Sequence, residues 1–264
     1  MPRAGTGPDF IESLARGLEV ITAFEPGREA LSLSDVAAAT GLARPTARRI
    51  LLTLVELGYV RTDGSRYALT PRVLELGAAY VGSLGLWDVA RPHLQELSAK
   101  TRESCSIAQL DGSDIVYVAR VAVPKIVGLS VQIGTRFPAL QTSLGKVLLA
   151  ELAADELDRV LAEPTRSGLT PLWNPTEKER AAELRQVRAR GWAITDQQLA
   201  PGIRSVAAPI HDGERVVAAV NVNTHAAETT VEELTEHHLP LLLRAAGEIG
   251  ADFARLRTLP RVVG

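Results

Sequence analysis

The chain has a single cysteine, Cys105, so its own thiols can build neither a disulfide framework nor a thiolate metal site. It has no uncharged apolar run approaching the ~18 residues of a membrane helix. Its start, MPRAGTGPDFIESLARG, lacks the continuous apolar segment of a secretory signal. The expectation is a soluble cytoplasmic protein with no membrane contact. Aromatic residues supply only 4% of the chain, so its cores must be aliphatic. Catalytic and nucleotide signatures are also missing: no P-loop, no GxGxxG after a strand, no G-x-S-x-G elbow and no HExxH. Without a nucleophile–base pair, an enzyme is not the expected reading. Glu233 and His237 stand four apart on a helix and read as surface polar residues. No metal or other cofactor is expected. Nor is there a basic surplus: the formal net charge is -2, so any surface for nucleic acid must be local.

Such a local surface is present. Residues 43 to 49 read ARPTARR, directly before the apolar run ILLTLVELGYV. Pro45 suits a first helical turn, and Ala47, Ile50, Leu51 and Leu54 form a buried stripe at helical spacing. Upstream, Phe10, Leu14, Leu18, Ile21 and Phe24 recur three or four apart, predicting a first helix with all five on one core. Ser34 is expected to cap a short second helix that ends at Gly41. Downstream, Tyr59-Val60-Arg61 and Arg66-Tyr67-Ala68-Leu69 flank Asp63-Gly64, a hairpin signal. Helix, helix, turn, helix, hairpin is the order of a winged helix-turn-helix. In that motif the start of the second helix of the pair enters the major groove. Arg44, Thr46, Arg48 and Arg49 are therefore the expected base and phosphate contacts, with Arg61 and Arg66 holding phosphates from the wing.

Beyond Pro71 a linker helix and then a helix near Leu86 to Thr101 are expected. Strands SIAQL and IVYVARV flank Asp111-Gly112, and IVGLSVQIG reads as a third strand. Helices follow at Leu144 to Leu152, Asp155 to Leu161 and Thr176 to Arg190, the last opened by a Thr176–Glu179 capping box. WAIT, SVAAPI and RVVAAVNVN are strands, the last two joined at Asp212-Gly213. A second capping box, Thr230 with Glu233, opens a C-terminal helix that Pro240 should kink. The fold class is α+β: a winged helix-turn-helix over 9–70, a linker helix over 71–84, and at 85–257 a domain with a mostly antiparallel sheet and flanking helices.

One stretch of the larger part, PALQTSLGKVLLA, looks like a ligand site. Thr142 or Ser143 can cap a helix whose first turn holds Leu144 and Gly145, and free N–H groups there suit an anion. Gly145 would let a ligand or a strand approach closely. Asn221 and Asn223 alternate with Val220 and Val222 and so share one face of a strand. Arg204 and Ser205 add a cation and a hydroxyl at the head of the preceding strand. A carboxylate would satisfy all of these donors. Two other classes remain open on the residues alone: an enzyme acting on small acids fused to a DNA-binding domain, and a ligand-independent protein-interaction module.

The segments SLARGLEVITAF, LSLSDVAAATGLARPTARRILLTLVELGYV, GTRFPALQTSLGKVLLA, ARGWAIT and PGIRSVAAPIHDGERVVAAVNVN together resemble the IclR family of bacterial transcriptional regulators. LARGLEVI, LLTLVELGYV, LWDVARPHLQELS, ESCS and DIVYVARV are similar to its members that control protocatechuate and 4-hydroxybenzoate catabolism in the β-ketoadipate pathway. The resemblance implies a GAF-like effector domain, a homodimer or dimer of dimers on palindromic double-stranded operator DNA, and a small carboxylate effector, aromatic or of the β-ketoadipate type. It implies effector contacts at Thr142, Ser143, Leu144 and Gly145 and at Thr195, Ser205, Asn221 and Asn223. The chain departs from many relatives in having Thr195 for aspartate, Ser205 for cysteine, Asn221 and Asn223 for serines, and Leu140 for histidine. These exchanges point to a larger or differently charged effector.

Overall fold

A computed structural model describes residues 7–25, 27–124 and 131–258. They divide after Ser83 into two compact units.

The first unit holds α1 (Glu12–Thr22), β1 (Leu31–Ser32), α2 (Leu33–Thr40), α3 (Arg44–Glu56), β2 (Val60–Thr62) and β3 (Arg66–Leu69). The hairpin β2–β3 forms as expected, and β1, which the sequence did not announce, adds to its other side in the order β1-β3-β2. The cap of α2 is Ser32 rather than Ser34. Its hydroxyl accepts the Asp35 N–H at 3.2 Å, while the Asp35 carboxylate accepts the Ser32 N–H at 2.9 Å. A capping box needs its acid three residues beyond the cap, and Asp35 has that spacing from Ser32 only. Gly41 then turns the chain at φ 65°, a left-handed conformation that favours glycine, and α3 follows within three residues.

α1 does not bury the expected five-residue stripe. Its core residue is Val20, with Ile21 and Phe24 packed beside it. Leu14 and Leu18 are 61% and 52% exposed. At 100° per residue Leu14 and Leu18 lie well over a quarter-turn from Val20, so the apolar surface is wider than the core it faces. The surplus lines a groove of about 720 Å³ between α1 and α3, with Ile21, Ile50, Leu54 and Leu57.

A 3₁₀ turn, Pro71–Val73, leads into the linker helix α4 (Leu74–Leu84). Arg72 is held in its own unit, donating to the Leu57 carbonyl at 2.8 Å and lying 5.2 Å from the centre of the Tyr59 ring.

The second unit is built on a sheet whose described strands run β6 (Arg136–Pro138), β5 (Asp114–Val121), β4 (Ser104–Asp111), β9 (Arg215–His225), β8 (Ile203–Asp212) and β7 (Ala193–Asp196). Every described pairing is antiparallel. α5 (Leu86–Thr101) and α10 (Leu239–Thr258) cover one face, packing Leu94, Leu97, Leu242 and Ile249 on Ile107, Val206, Val220 and Val222. On the other face lie α6 (Ser143–Ala150) and, behind it, α8 (Glu177–Arg190), which place Leu144, Val147, Leu149 and Leu184 against Ala108, Ala207 and Ala219. α7 (Ala154–Ala162) lies at this layer's edge through Leu157 and Val160.

The strand expected at IVGLSVQIG falls mostly at 126–130, outside the described residues. From Val131 to Gly134 the chain makes a turn, and the strand is Arg136–Pro138 instead. The Thr176–Glu179 capping box is present. Thr230 caps α9 (Val231–Glu233) by accepting the Glu233 N–H at 3.1 Å. Ahead of Pro240 the helix widens into a π turn, Leu234–His238, before α10 continues. This is where a proline without an N–H disturbs the ladder. No helix among the described residues is long and apolar enough to cross a membrane.

Gly145 is fixed by packing. A Cβ there would overlap the Ala139 carbonyl of the 3₁₀ turn Ala139–Gln141 that precedes α6. The close approach foreseen for a ligand or a strand is therefore made by the chain's own backbone. Gly145→Ala is expected to cost ~1–3 kcal/mol by overpacking and to lower Tm by several degrees in thermal melts. An unchanged Tm would show that the turn yields freely.

Candidate functional site

In the first unit, Arg44, Arg48 and Arg49 are exposed along the first two turns of α3, while Ala47, Leu51 and Leu54 hold the helix to the core. Helical geometry puts Arg44 and Arg48 on one flank and Arg49 on the outward face. Thr46 is partly covered and, with Arg49, borders the groove to α1, so the four do not form a single patch. Arg61 and Arg66 stand exposed on the two strands of the wing. The wing turn is stiffened by Asp63, whose carboxylate accepts the N–H groups of Ser65 and Arg66 at 2.8 and 2.7 Å. Those bonds hold its pKa down at about 2.

In the second unit the register of the sheet assembles the site. Residues directly opposite one another on paired strands face the same side. Thr195 pairs with Ser205, Ser205 with Asn223, and Asn223 with Ser104, giving one polar row across four strands. The next row runs Ala207, Asn221, Ser106, Arg120. Both lie on the face that α6 covers. Thr142 caps α6, accepting the Gly145 N–H at 3.0 Å. Ser143, fully buried, meets Ser205 at 2.7 Å between hydroxyls, and Ser205 meets Thr195 at 3.0 Å.

The N–H groups of Ser143 and Leu144 have no acceptor among the described residues, as befits the open first turn of a helix. The Leu144 side chain is in the core, so only its backbone can serve the site. Asn221 is 3% exposed, and its Oδ1 has no hydrogen-bond partner among the described residues. Thr142, Thr195, Ser205, Asn221 and Asn223 wall a cavity of about 20 Å³ together with Tyr117, Phe137, Gln141, Leu199 and Ile203. That is room for about one water.

Arg204 does not belong to this set. Adjacent strand residues point to opposite faces, and Arg204 is locked on the far side from Ser205. Its Nε and Nη2 grip both oxygens of Asp196 at 3.0 and 2.9 Å, and Nη1 donates to the Thr229 carbonyl at 2.6 Å. Lys146 likewise points away from the cavity. It is fully buried, bonded to Glu183 at 2.8 Å and placed 4.6 Å from the centre of the Trp173 ring.

Sequence reasoning missed Tyr117, Phe137 and Gln141. Burial pushes the Tyr117 hydroxyl up to about 12, so it remains a donor. Its place on the cavity face depends on an irregularity between Ile107 and Ala108, where Tyr117 pairs with Ala108 although Ala119 pairs with Ile107. No periodicity in IVYVARV marks such a bulge. No group of three or more potential metal ligands occurs among the described residues.

This arrangement joins a helix-turn-helix unit, the element of DNA-binding regulators, to a unit with a small polar cavity. Residues 13–64 match the IclR helix-turn-helix domain, and residues 78–251 match the bacterial transcriptional regulator IclR C-terminal family. The chain belongs to the IclR family of transcriptional regulators and is not an enzyme. The Pca regulon regulatory protein of Pseudomonas putida is 40% identical over 250 residues, covering 94% of this chain and 86% of the relative. A crystal structure from Rhodococcus sp. RHA1 is 49% identical with a TM-score of 0.81, covering 94% of this chain and 100% of that one. The inducer-binding domain of the Acinetobacter transcription factor PobR, solved as a double mutant in complex with 3-hydroxybenzoic acid, is 30% identical with a TM-score of 0.56. It covers 62% of this chain and 97% of that chain.

Cys105 has no place in the site. It faces away from Ser104 and Ser106 into the layer beneath α5, and burial pushes its thiol up to about 12. Iodoacetamide is expected to leave Cys105 unmodified in the native chain and to alkylate it fully in guanidinium chloride, as read by intact-mass spectrometry. Rapid native alkylation would show that this layer opens.

Proposed function

We propose that the protein binds operator DNA through its N-terminal unit and that a small organic acid in the C-terminal pocket shifts this binding. The acid is aromatic or dicarboxylic. In this reading residues 9–70 form the DNA-binding domain, 71–84 the linker helix and 85–257 the effector domain. Arg44, Thr46, Arg48 and Arg49 enter the major groove, and Arg61 and Arg66 hold phosphates. The protein acts in the cytoplasm, where the chromosome is.

One observation carries the effector half: Asn221 is buried with its Oδ1 unpartnered among the described residues, in the wall of a cavity that also holds Thr142, the cap of α6. Buried polar groups are nearly always satisfied, so an orphan in a walled site marks the place of a missing partner; being an acceptor, it calls for a donor such as a ligand hydroxyl, or for the amide to turn its NH2 toward a carboxylate. The hydroxyls of Ser143, Ser205 and Thr195 and the two amides can each turn to donate, so one carboxylate can draw on several of them. Backbone N–H groups and the positive end of α6 favour that charge. The 3-hydroxybenzoic acid held by the PobR domain supports an aromatic acid of similar size. The cavity of about 20 Å³ must widen to admit one. A ligand that binds only the widened form shifts the population toward it, which is the condition for altering operator affinity.

We further infer a homodimer, assembled on DNA as a dimer of dimers. Recognition helices of this kind read paired half-sites, and the exposed Phe10, Ile11, Leu14 and Leu18 are the apolar surface that a second copy would cover.

Arg48→Ala should weaken binding to labelled operator DNA by roughly tenfold or more. Unchanged affinity removes Arg48 from the interface. Ser143→Trp should abolish calorimetric binding of the acid found by a thermal-shift screen while operator affinity in its absence is retained. Acid binding that survives the tryptophan puts the pocket elsewhere, and a screen in which no acid raises Tm favours a ligand-independent module.

A further inference from the structure

Arg120, near the end of β5, is a half-buried cation on the pocket's face of the sheet, outside the residues that wall the cavity and without a countercharge among the described residues. It pairs in register with Ser106, and Ser106 with Asn221, which lines the cavity. The irregularity at Ile107/Ala108 brings Tyr117 and Arg120, three residues apart, onto this same face, where regular alternation would have opposed them. Arg120 reaches back across the sheet: its Nη1 donates to the Ser106 hydroxyl at 3.0 Å. The guanidinium therefore lies over β4, one strand from Asn221. Among the described residues its buried Nε has no hydrogen-bond partner and no carboxylate is within ion-pair distance. An arginine held partly out of water with no anion is costly unless something supplies one.

Resting on the organic-acid reading of the pocket, we propose that Arg120 receives a second anionic group of the effector, so that the site selects dicarboxylates over monocarboxylates. The first carboxylate sits at the start of α6, over β8, where Ser143 meets Ser205. The guanidinium over β4 stands two strands away, about 10 Å at roughly 4.8 Å per strand. Between them Asn221 and Asn223 on β9 offer amides to the middle of the molecule. A short diacid spans such a gap, with one end taken by neutral donors and a helix terminus and the other by a charge-assisted, two-pronged contact. A monoacid can use only the first end.

The test is calorimetry on the full chain with matched probes, adipate against hexanoate and terephthalate against benzoate. The wild type is expected to bind at least one dicarboxylate about tenfold or more tightly than its monocarboxylate partner. Arg120→Gln should remove that preference and leave the monocarboxylate unchanged, whereas Arg120→Lys should keep part of it. If Arg120→Gln does not fold, Ser106→Ala replaces it. Losing the hydroxyl that holds the guanidinium should lower dicarboxylate affinity alone. A wild type that prefers monocarboxylates, or a variant that weakens both members of a pair equally or neither, overturns the role of Arg120 and leaves the organic-acid pocket standing. If the wild type binds none of the four probes and no other organic acid, both proposals fall.

Discussion

A sheet with helices on both faces gives polar side chains no water to turn to, and the second unit depends on how it meets that constraint. On the face beneath α5 and α10 the middle is aliphatic, with Ile107, Val206, Ala208, Val220 and Val222, and Arg204 toward its edge is paired with Asp196 and the Thr229 carbonyl. On the other face it places Thr195, Ser205, Asn223 and Ser104 in one row and Asn221, Ser106 and Arg120 in the next. Some are satisfied among themselves, through Ser143–Ser205–Thr195 and Arg120–Ser106. Asn221 Oδ1 and Arg120 Nε are not. Leaving a buried polar atom unpaired costs about 1–3 kcal/mol. In the proposed function a fold that could have carried Val or Leu at these positions bears that cost so that an effector can meet it.

The same economy explains α6. It is short and wholly buried, and its first turn is set by three unlike devices. Thr142 caps it, the absent side chain of Gly145 lets the Ala139 turn lie against it, and Lys146 is drawn off toward Glu183 on α8. The helix start is thereby aimed at β8 and β9 with its N–H groups uncommitted. Moving the 3₁₀ turn, or the Glu183 contact, would rotate Ser143 away from Ser205. In the proposed site ligand and packing are coupled at this point, and a widening of the cavity would be felt by α8 as well as by the sheet.

Much of this was legible in the sequence because it is written in local signals. Asp63-Gly64, Asp111-Gly112 and Asp212-Gly213 marked the hairpins. Thr176 with Glu179 marked α8, and the alternation of Asn221 and Asn223 with valines marked their shared face. One failure was a local misreading, and the others share a physical origin, which is that the partner is remote in sequence. Ser34 looked like a cap until Ser32 was seen to share Asp35. The stripe on α1 looked like one core face because periodicity cannot say how wide the core is. Tyr117 was invisible because a bulge shifts the face of every residue beyond it.

The two arginines make the point most sharply. Arg204 stands next to Ser205 in sequence, and proximity made it the natural choice for the cation of an acid site. On a strand, however, neighbours in sequence are opposites in space, so the residue beside a pocket residue is the one position excluded from the pocket. Asp196, eight residues earlier on the paired strand, takes its guanidinium instead. Arg120 lies more than eighty residues from Ser205 and gives no local hint of its role. Three pairing steps, Arg120 to Ser106 to Asn221 to Ala207, bring it to the same face. A charge in a β-domain is therefore assigned by register before chemistry, and by that rule the cation on the pocket's face of the sheet is Arg120.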